Sequence, residues 1–153
     1  MNERSPLAFV APLRIFVGVI LLLEGYSKFS GGWLHGDALH KTLNDWVAAG
    51  KPYGFFLPVI ETARAHPKIF GALITSGELV VGASMVLGLL TRLCAFFGML
   101  LTFSIGFGAG QKLVPPGNAL LLGSIMLTFV LLAPGRAFGL DQLLRSRLPR
   151  WMV

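Results

Sequence analysis

Residues 69–110 read IFGALITSGELVVGASMVLGLLTRLCAFFGMLLTFSIGFGAG, and this stretch decides the fold. It holds two apolar runs, residues 69–90 and 93–110, which are separated only by Thr91 and Arg92. At 1.5 Å per residue, each run approaches the roughly 30 Å thickness of the hydrocarbon core of a bilayer. A turn this short predicts two membrane helices that lie side by side and run antiparallel.

The composition of the whole chain also indicates a lipid environment. Of the 153 residues, 54% are hydrophobic and only 13% are charged, and the mean hydropathy is +0.72. Soluble domains carry about 25% charged residues, so this composition excludes an ordinary cytosolic enzyme, a disordered chain and a disulfide-rich secreted module. The single cysteine, Cys94, excludes an internal disulfide, a CxxC redox pair and a thiolate metal cluster.

Two further apolar runs, residues 13–29 and 118–133, complete the predicted fold. We expect an all-α integral membrane protein in which one domain, residues 1–153, forms a four-transmembrane-helix bundle. A cleaved signal peptide is the alternative interpretation of the first run. We favour a retained helix because Glu24 interrupts the run and residues 25–27, Gly-Tyr-Ser, make a poor cleavage site.

The one long connection, residues 30–68, is predicted to carry two short amphipathic helices that lie on the membrane surface. The first covers residues 37–49 with Asp37 as its N-cap, and the second covers residues 53–65. Their apolar stripes are Leu39, Leu43, Trp46 and Val47 in the first helix and Phe56, Val59, Ile60 and Ala63 in the second. The aromatic residues expected at headgroup level are Trp33, Trp46 and Tyr53.

The basic residues predict orientation and give no indication of nucleic-acid binding. One side of the predicted bundle carries Arg4, Arg14, Arg92, Arg136, Arg145, Arg147 and Arg150. The basic residues on the other side are spread through the long connection and partly offset by acidic residues, so they weigh less in setting orientation. We therefore expect both termini in the cytoplasm and residues 30–68 outside it. Residues 140–150, with several leucines and arginines, are expected to form an interfacial helix.

Three charged residues fall inside the predicted outer half of the bundle. Glu24 and Lys28 stand four residues apart on one face of the first helix, and Glu78 lies near the middle of the second. A charge inside a bilayer costs roughly 2.5 to 3.5 kcal/mol or more, so these residues are candidates for a functional site. The alternative is that Lys28 pairs with one of the two carboxylates and only joins the first two helices.

Small residues predict where the helices approach each other. The predicted inward face of the second helix carries Gly71, Thr75, Gly82 and Met85 beside Glu78. On the third helix small residues recur every four positions, at Gly98, Thr102, Gly106 and Gly110. On the first helix glycines recur every seven positions, at Gly18, Gly25 and Gly32. The sequence leaves open what a pocket between the first and second helices would hold, if anything.

Histidine placement argues against a haem or metal site. All three histidines, His35, His40 and His66, fall in residues 30–68, so no pair of them can hold a haem within the bundle. The spacing of His35 and His40 also provides no third metal ligand. A redox role would then require a diffusible carrier.

The chain resembles the DoxX/DoxD family of four-helix membrane proteins. Residues 77–98, GELVVGASMVLGLLTRLCAFFG, resemble the central signature of that family. Residues 13–29 match its opening at Arg14, Gly18, Gly25 and Lys28, and residues 134–144 match its close at Gly135, Arg136, Leu140 and Asp141. The outer stretches WLHGDALHKTLNDW and YGFFLPVIE are similar to the DoxD-type branch.

The resemblance implies a small membrane subunit of the thiosulfate:quinone oxidoreductase type, in which thiosulfate is oxidised to tetrathionate and a membrane quinone is reduced. It implies quinone as a diffusible co-substrate without haem or metal, and a partner subunit or a homo-oligomer. Glu78, Lys28 and Glu24 are then the candidate catalytic residues, and Lys28, Glu78 and Arg14 the candidates for binding quinone or anion. Arg92, Arg136 and Asp141 are assigned a structural role, as a salt-bridged clamp with an N-cap for the last helix.

A non-catalytic subunit that docks a larger membrane complex is the alternative function. Its basis would be the glycine and threonine seams, which provide close packing surfaces. A transporter is disfavoured because four short helices do not form two inverted halves.

Overall fold

The computed structural model describes residues 9–111, 119–132, 134–136 and 139–144, and within these ranges the chain is helical without any β-strand. The α-helices in chain order are α1 Ala11–Ser30, α2 Asp37–Ala48, α3 Leu57–Ala65, α4 Pro67–Leu87, α5 Thr91–Gly108, α6 Ala119–Leu132 and α7 Asp141–Leu144. Short 3₁₀ turns occupy Trp33–His35, Gly54–Phe56 and Pro134–Arg136. All-helical architecture is therefore confirmed for the described part of the chain.

The four apolar runs correspond to α1, α4, α5 and α6, which pack mainly as two pairs. Helix α1 lies along α4, and α5 lies along α6, while α4 and α5 join the pairs. A shared core of fully buried side chains fills the space between them: Val17, Leu21, Val81, Met85, Ala95, Met126 and Phe129. The two pairs meet through α4 and α5. Helices α1 and α6 therefore make little contact with each other.

The turn between α4 and α5 begins earlier than the sequence predicted. Helix α4 ends at Leu87 because Gly88 adopts a left-handed conformation with φ +68°, which suits glycine at a helix end. Leu90 is also left-handed, with φ +49°, and Thr91 already starts α5. Thr91 and Arg92, predicted to form the turn, thus belong to the first turn of α5.

Glycines set the distance between α1 and α4, as the seven-residue spacing predicted for Gly18 and Gly25. A Cβ atom added to Gly82 of α4 would lie 2.8 Å from the backbone nitrogen of Leu22 and 2.9 Å from the carbonyl oxygen of Gly18. The two backbones therefore touch at this level. Gly32 does not join this seam because it follows the end of α1 and has a φ of +81°.

The four-residue spacing on α5 also marks a packing surface. Gly98, Thr102 and Gly106 are all buried. A Cβ atom on Gly98 would contact Val81 of α4 and Met126 of α6, so this face of α5 packs against both neighbours. Gly110 lies beyond the end of the helix, in a left-handed conformation.

Residues 33–65 form a helical cap over one end of the bundle. Leu39 and Leu43 of α2 are buried together with Ile60 and Ala63 of α3, and partly buried side chains of α4 pack against them. The two apolar stripes therefore pack largely against protein, while Val59 is 43% exposed. The predicted N-cap is also wrong, because left-handed Gly36 occupies that position and Asp37 is the first helical residue.

Two of the described helices, α4 and α5, are long and apolar enough to cross a membrane. Helix α6 is apolar but has only 14 residues, and α1 has 20 residues that include Arg14, Glu24 and Lys28.

Helix α7 covers residues 141–144 of the interfacial helix predicted at residues 140–150. Residues 145–150 lie outside the described residues. The same holds for residues 112–118, which include the first residue of the apolar run predicted at 118–133.

Candidate functional site

The structure brings together Glu24, Lys28 and Glu78, the three charged residues predicted to lie inside the bundle. Lys28 Nζ donates a hydrogen bond to Glu78 Oε1 at 2.9 Å and to Glu24 Oε2 at 3.1 Å. The Lys28 and Glu78 side chains are 11% and 3% exposed, whereas the Glu24 side chain is 60% exposed. A buried ion pair between α1 and α4 is therefore joined to a more exposed carboxylate at the edge of the bundle.

The glycine seam explains why Lys28 can reach Glu78. Gly25 lies less than one turn before Lys28, and a Cβ atom there would come within 2.9 Å of the Leu79 side chain. Gly82 lies four residues after Glu78 and contacts the backbone of α1. Because α1 and α4 approach each other closely on both sides of the ion pair, the side chains of Lys28 and Glu78 stay within hydrogen-bonding distance. The Trp33 ring, centred 5.5 Å from Lys28 Nζ, adds a cation–π contact from the cap.

The two oxygens of the Glu78 carboxylate have different surroundings. Oε1 accepts the hydrogen bond from Lys28. Oε2 lies 2.8 Å from the same ammonium, so Lys28 faces both oxygens of the carboxylate. No other group among the described residues donates to Oε2, which is fully buried. Within the described residues, Lys28 is therefore the charged partner of both Glu78 oxygens.

The charge of this cluster bears on the predicted roles of Lys28. Its ammonium faces two carboxylates, from Glu24 and Glu78, so its positive charge is already balanced by its neighbours. A small dianion would meet net negative charge here, in surroundings of low dielectric constant where repulsion is strong. The geometry favours a neutral ligand at Lys28 over the anion that the sequence also suggested.

A cavity of about 420 Å³ opens between α1 and α6 and reaches the ion pair. This volume lies within the range of about 300 to 1,000 Å³ typical of small-molecule sites. Its polar lining residues are Glu24, Lys28, Glu78, Thr102 and Gln111, and its apolar walls include Leu13, Phe16, Val17, Ile20 and Leu21 of α1 and Leu121, Leu122 and Ile125 of α6. We call this cavity the crevice. It replaces the pocket that the sequence placed between the first two membrane helices.

Gln111 is a site residue that sequence reasoning missed. Its side-chain Oε1 accepts a hydrogen bond of 2.7 Å from the backbone N–H of Ala119, at the start of α6. Its backbone carbonyl accepts a hydrogen bond of 3.1 Å from the hydroxyl of Tyr53 in the cap. Gln111 thus connects the cap, α5 and α6 at the edge of the crevice. A polar side chain directly after the apolar run was the signal that could have identified it.

Arg14 lies at the opposite end of α1 from Lys28. The two residues are fourteen positions apart, so their Cα atoms are separated by about 21 Å along the helix. The Arg14 side chain is buried, donates a hydrogen bond of 3.1 Å to the carbonyl of Pro134, and interacts electrostatically with Asp141. The structure therefore does not bring Arg14 together with the crevice, although the sequence grouped it with the binding residues.

Asp141 fastens the C-terminal segment to the start of α5. Its carboxylate accepts hydrogen bonds from the backbone N–H groups of Leu90 and Thr91, at 2.6 and 3.0 Å, and from the Thr91 hydroxyl at 2.6 Å. These are N-cap contacts, made to α5 rather than to the last helix as the sequence predicted.

The predicted arginines of the clamp are only partly placed. Arg92 forms no ion pair with another described residue, and the side chain of Arg136 lies outside the described part of the chain. Arg14 is the arginine whose charge acts on Asp141. The clamp therefore links α1 to the C-terminal segment.

The remaining candidate sites offer less chemistry. A smaller cavity of about 120 Å³ lies under the cap and is lined almost entirely by apolar side chains, among them Trp33, Trp46 and Phe70. Within the described ranges, no group of three or more His, Cys, Asp or Glu residues is placed to hold a metal ion. Of the two cavities described, the crevice is the one that has both charged lining residues and the larger volume for a ligand.

Comparison with known proteins gives one match. The sequence model of the DoxX family matches residues 9–111, which run from the start of α1 to Gln111 and include Lys28, Glu78 and the whole cap. No curated protein and no solved structure matches the chain significantly.

Proposed function

Because this chain belongs to the DoxX family, we propose that it is a membrane subunit that binds a quinone in the crevice and so supports the oxidation of a small anion such as thiosulfate. The observation that carries the proposal is the buried Lys28–Glu78 pair at the end of an apolar crevice. A membrane quinone combines a polar ring with an apolar tail. The crevice likewise has polar side chains beside the ion pair, where the ring would bind, and apolar side chains along its walls, where the tail would lie.

The walls of the crevice suit the apolar part of such a molecule. Side chains of α1 and α6 line the crevice, and several of them, including Phe16 and Leu121, are also exposed at the surface of the protein. A tail could therefore extend from the crevice into lipid without crossing a polar surface. The ring would lie against Thr102, Lys28 and Glu78, where an ammonium and a carboxylate are available.

The charged residues have distinct roles in this proposal. Lys28 donates a hydrogen bond to a ring carbonyl and stabilises the negative charge that develops there during reduction. Glu78 holds and transfers a proton at the ring, and Glu24, which is exposed, exchanges protons with water. Reduction of one quinone takes two electrons and two protons, and oxidation of two thiosulfate ions to tetrathionate releases two electrons. The anion would react on a partner subunit, because the cluster at Lys28 disfavours a dianion.

We also propose that α1 and α6 cross the membrane together with α4 and α5. All four helices expose large apolar side chains: Ile15, Phe16, Val19 and Leu23 on α1, Ile69, Leu73 and Val80 on α4, Phe96, Phe97 and Leu100 on α5, and Leu121, Leu127 and Leu131 on α6. The charges of α1 do not oppose this, since Arg14 is buried and Lys28 is paired with Glu24 and Glu78. The distribution of basic residues supports cytoplasmic termini and an external cap, in the cytoplasmic membrane of a bacterium or archaeon.

An activity assay tests the proposed function. Membranes containing the chain with its native partner should reduce a short-chain quinone when thiosulfate is added. Glu78→Gln should slow this reaction by about 100-fold, the lower range for loss of a general acid or base. Glu61→Gln is the matched control, because Glu61 lies on the surface of the cap and pairs only with Arg64 among the described residues. Full activity of the Glu78→Gln protein would contradict the role of Glu78.

A non-catalytic assembly subunit remains the second candidate. The observation that favours it is an exposed apolar patch on the cap, formed by Tyr53, Phe55, Leu57 and Val59. Such a patch is typical of a protein-binding surface or of contact with lipid. Co-purification of a stoichiometric partner whose turnover is unchanged by replacement of Lys28 and Glu78 would support this function and exclude the first.

A further inference from the structure

The cavity of about 120 Å³ under the cap has walls formed by the cap and by helices α4 and α5. The described residues that line it include no charged side chain, and their one hydroxyl group, that of Ser104, donates a hydrogen bond of 2.7 Å to the carbonyl of Leu100. The other side-chain polar groups are the indole N–H groups of Trp33 and Trp46, which are donors only. A buried water needs about two to four polar partners, so an uncharged, apolar group suits this space better than water does.

The size of this cavity fits a small part of an apolar molecule. An engineered apolar cavity of about 150 Å³ in another protein binds benzene, so 120 Å³ accommodates a short length of alkyl chain. Side chains that face an empty apolar space lose dispersion contacts, and a chain that fills the space restores them. Because lipid is as apolar as the walls, this packing supplies the driving force for a chain that enters from a bilayer.

Three exposed residues mark the mouth of the cavity: Val59 on α3, Leu73 on α4 and Ser104 on α5. The other lining residues are buried or partly buried. Leu73 lies six residues after the start of α4, and Ser104 lies four residues before the end of α5, so the mouth is about 6 to 9 Å inside the cap end of these helices. The cavity therefore opens along the sides of α4 and α5 and not beyond their ends.

The surface around the mouth belongs to the two helices that are long and apolar enough to cross a membrane. Ile69 and Leu100, each one helical turn from a mouth residue, are exposed apolar side chains on this surface. When α4 and α5 lie in a bilayer, the groups that reach the mouth at this depth are the alkyl chains of lipids. We propose that the cavity under the cap binds the alkyl chain of a membrane lipid.

This site differs from the proposed quinone site. Glu24, Lys28 and Glu78 line the crevice and do not line the cavity under the cap. The inference therefore goes beyond the proposed function and needs neither a quinone nor the ion pair. It rests on one part of that function, the placement of α4 and α5 in a bilayer.

Photolabelling from within the bilayer tests this inference. The whole chain is reconstituted in phosphatidylcholine bilayers that contain a phosphatidylcholine with a diazirine on one alkyl chain, and the modified residues are identified by mass spectrometry. Leu43 and Ile60 line the cavity and are only 3% and 2% exposed, so they react only with a chain that enters it. We expect label on both, in addition to the exposed Ile69 and Leu100. Label on Ile69 and Leu100 without any on Leu43 or Ile60 would overturn the inference.

A matched pair of variants tests the mouth. Ser104→Phe places a ring at an exposed position of the mouth, and the label on Leu43 and Ile60 should be lost. Ser76→Phe is the control, because Ser76 is also exposed and also donates to the carbonyl four residues before it, but does not line the cavity. It should retain the label. Equal labelling of Leu43 and Ile60 in the two variants would contradict entry of the chain through this mouth.

The pattern of labels also separates this inference from the proposed function and from other occupants. If Ile69 and Leu100 are labelled and the cavity residues are not, the placement of α4 and α5 in the bilayer stands and the lipid site is wrong. If none of these residues is labelled, both are wrong. Labelling that also spares Leu73 at the mouth would show that another protein covers it. Labelling of Leu43 and Ile60 by an azido-quinone, without labelling by the lipid, would assign the cavity to a quinone ring and exclude the lipid chain.

Discussion

Lys28 on α1 and Glu78 on α4 form a buried ion pair in which Nζ lies 2.9 Å from Oε1 and 2.8 Å from Oε2. The pair lies beside the glycine contact between the two helices and also lines the crevice. One contact thus serves both helix packing and the candidate site. Substitutions that change one residue of this contact at a time should therefore separate its effect on the stability of the protein from its effect on ligand binding.

Removal of Lys28 alone should destabilise the protein strongly. Lys28→Met leaves the Glu78 carboxylate buried without its cation, a change that typically costs about 3 to 5 kcal/mol in proteins. The double variant Lys28→Met with Glu78→Leu leaves no buried charge, so it should recover most of this loss. Unfolding in detergent with increasing denaturant measures both. If the single and the double variant were equally unstable, the pair would contribute through packing and not through charge.

The glycine contact between α1 and α4 should not tolerate a methyl group. In Gly82→Ala, the new Cβ would lie 2.8 Å from the Leu22 nitrogen and 2.9 Å from the Gly18 oxygen, both backbone atoms that cannot rotate away. We expect a loss of about 1 to 3 kcal/mol, the typical cost of overpacking, together with weaker ligand binding as α1 shifts.

Gly54→Ala is the matched control for the glycine contact. No atom lies within 4 Å of the position that its Cβ would occupy, and its backbone is not left-handed. Thermal unfolding of the two variants side by side measures the difference. Equal stability of Gly82→Ala and the original protein would show that the helices are not held at this distance.

Replacement of Asp141 should loosen the C-terminal segment from the bundle. Asp141→Ala removes the N-cap of α5, worth about 0.5 to 2 kcal/mol, and leaves the buried Arg14 without its carboxylate. We expect a lower unfolding temperature and faster proteolysis in the segment after α6. Asp45→Ala is the control, because Asp45 is exposed on α2. A stability equal to that of the control would contradict the capping role.

A tryptophan placed in the crevice should block ligand binding without unfolding the protein. Leu121 lines the crevice and is 54% exposed, so Leu121→Trp can fill space without overpacking the core. Leu131→Trp is the control on the same helix, since Leu131 is 70% exposed and does not line the crevice. Quinone binding in nanodiscs should fall by at least about tenfold in the first variant and remain unchanged in the second. Equal binding in both would place the ligand elsewhere.

Much of the site could be predicted because a charge within an apolar run is rare. Glu78 stood out for this reason, and its helical spacing from Thr75 and Gly82 predicted the inward face of α4, all of which is buried. The same spacing argument identified the buried face of α5 from Gly98 and Thr102. The buried face of a helix follows from the spacing of residues within that helix, so it can be predicted from the sequence.

The order of helices around the bundle is not a local property, so it could not be predicted from the residue pattern of any one helix. The crevice exists because α1 packs on α4 and α6 packs on α5, which leaves α1 and α6 apart. Residue spacing within each helix does not specify this order. Likewise, Asp141 caps α5 across 50 residues of sequence, and which helix it reaches depends on the folded path of the C-terminal segment.

The proposed quinone site in the crevice between α1 and α6, beside Lys28 and Glu78, can be located by photolabelling with an azido-quinone followed by mass spectrometry of the modified peptides. We expect the label on residues 13–21 of α1 and 119–125 of α6, and we expect Leu121→Trp to remove it while Leu131→Trp does not. Labelling confined to the apolar cavity under the cap, or labelling that Leu121→Trp leaves unchanged, would show that the quinone does not bind in the crevice.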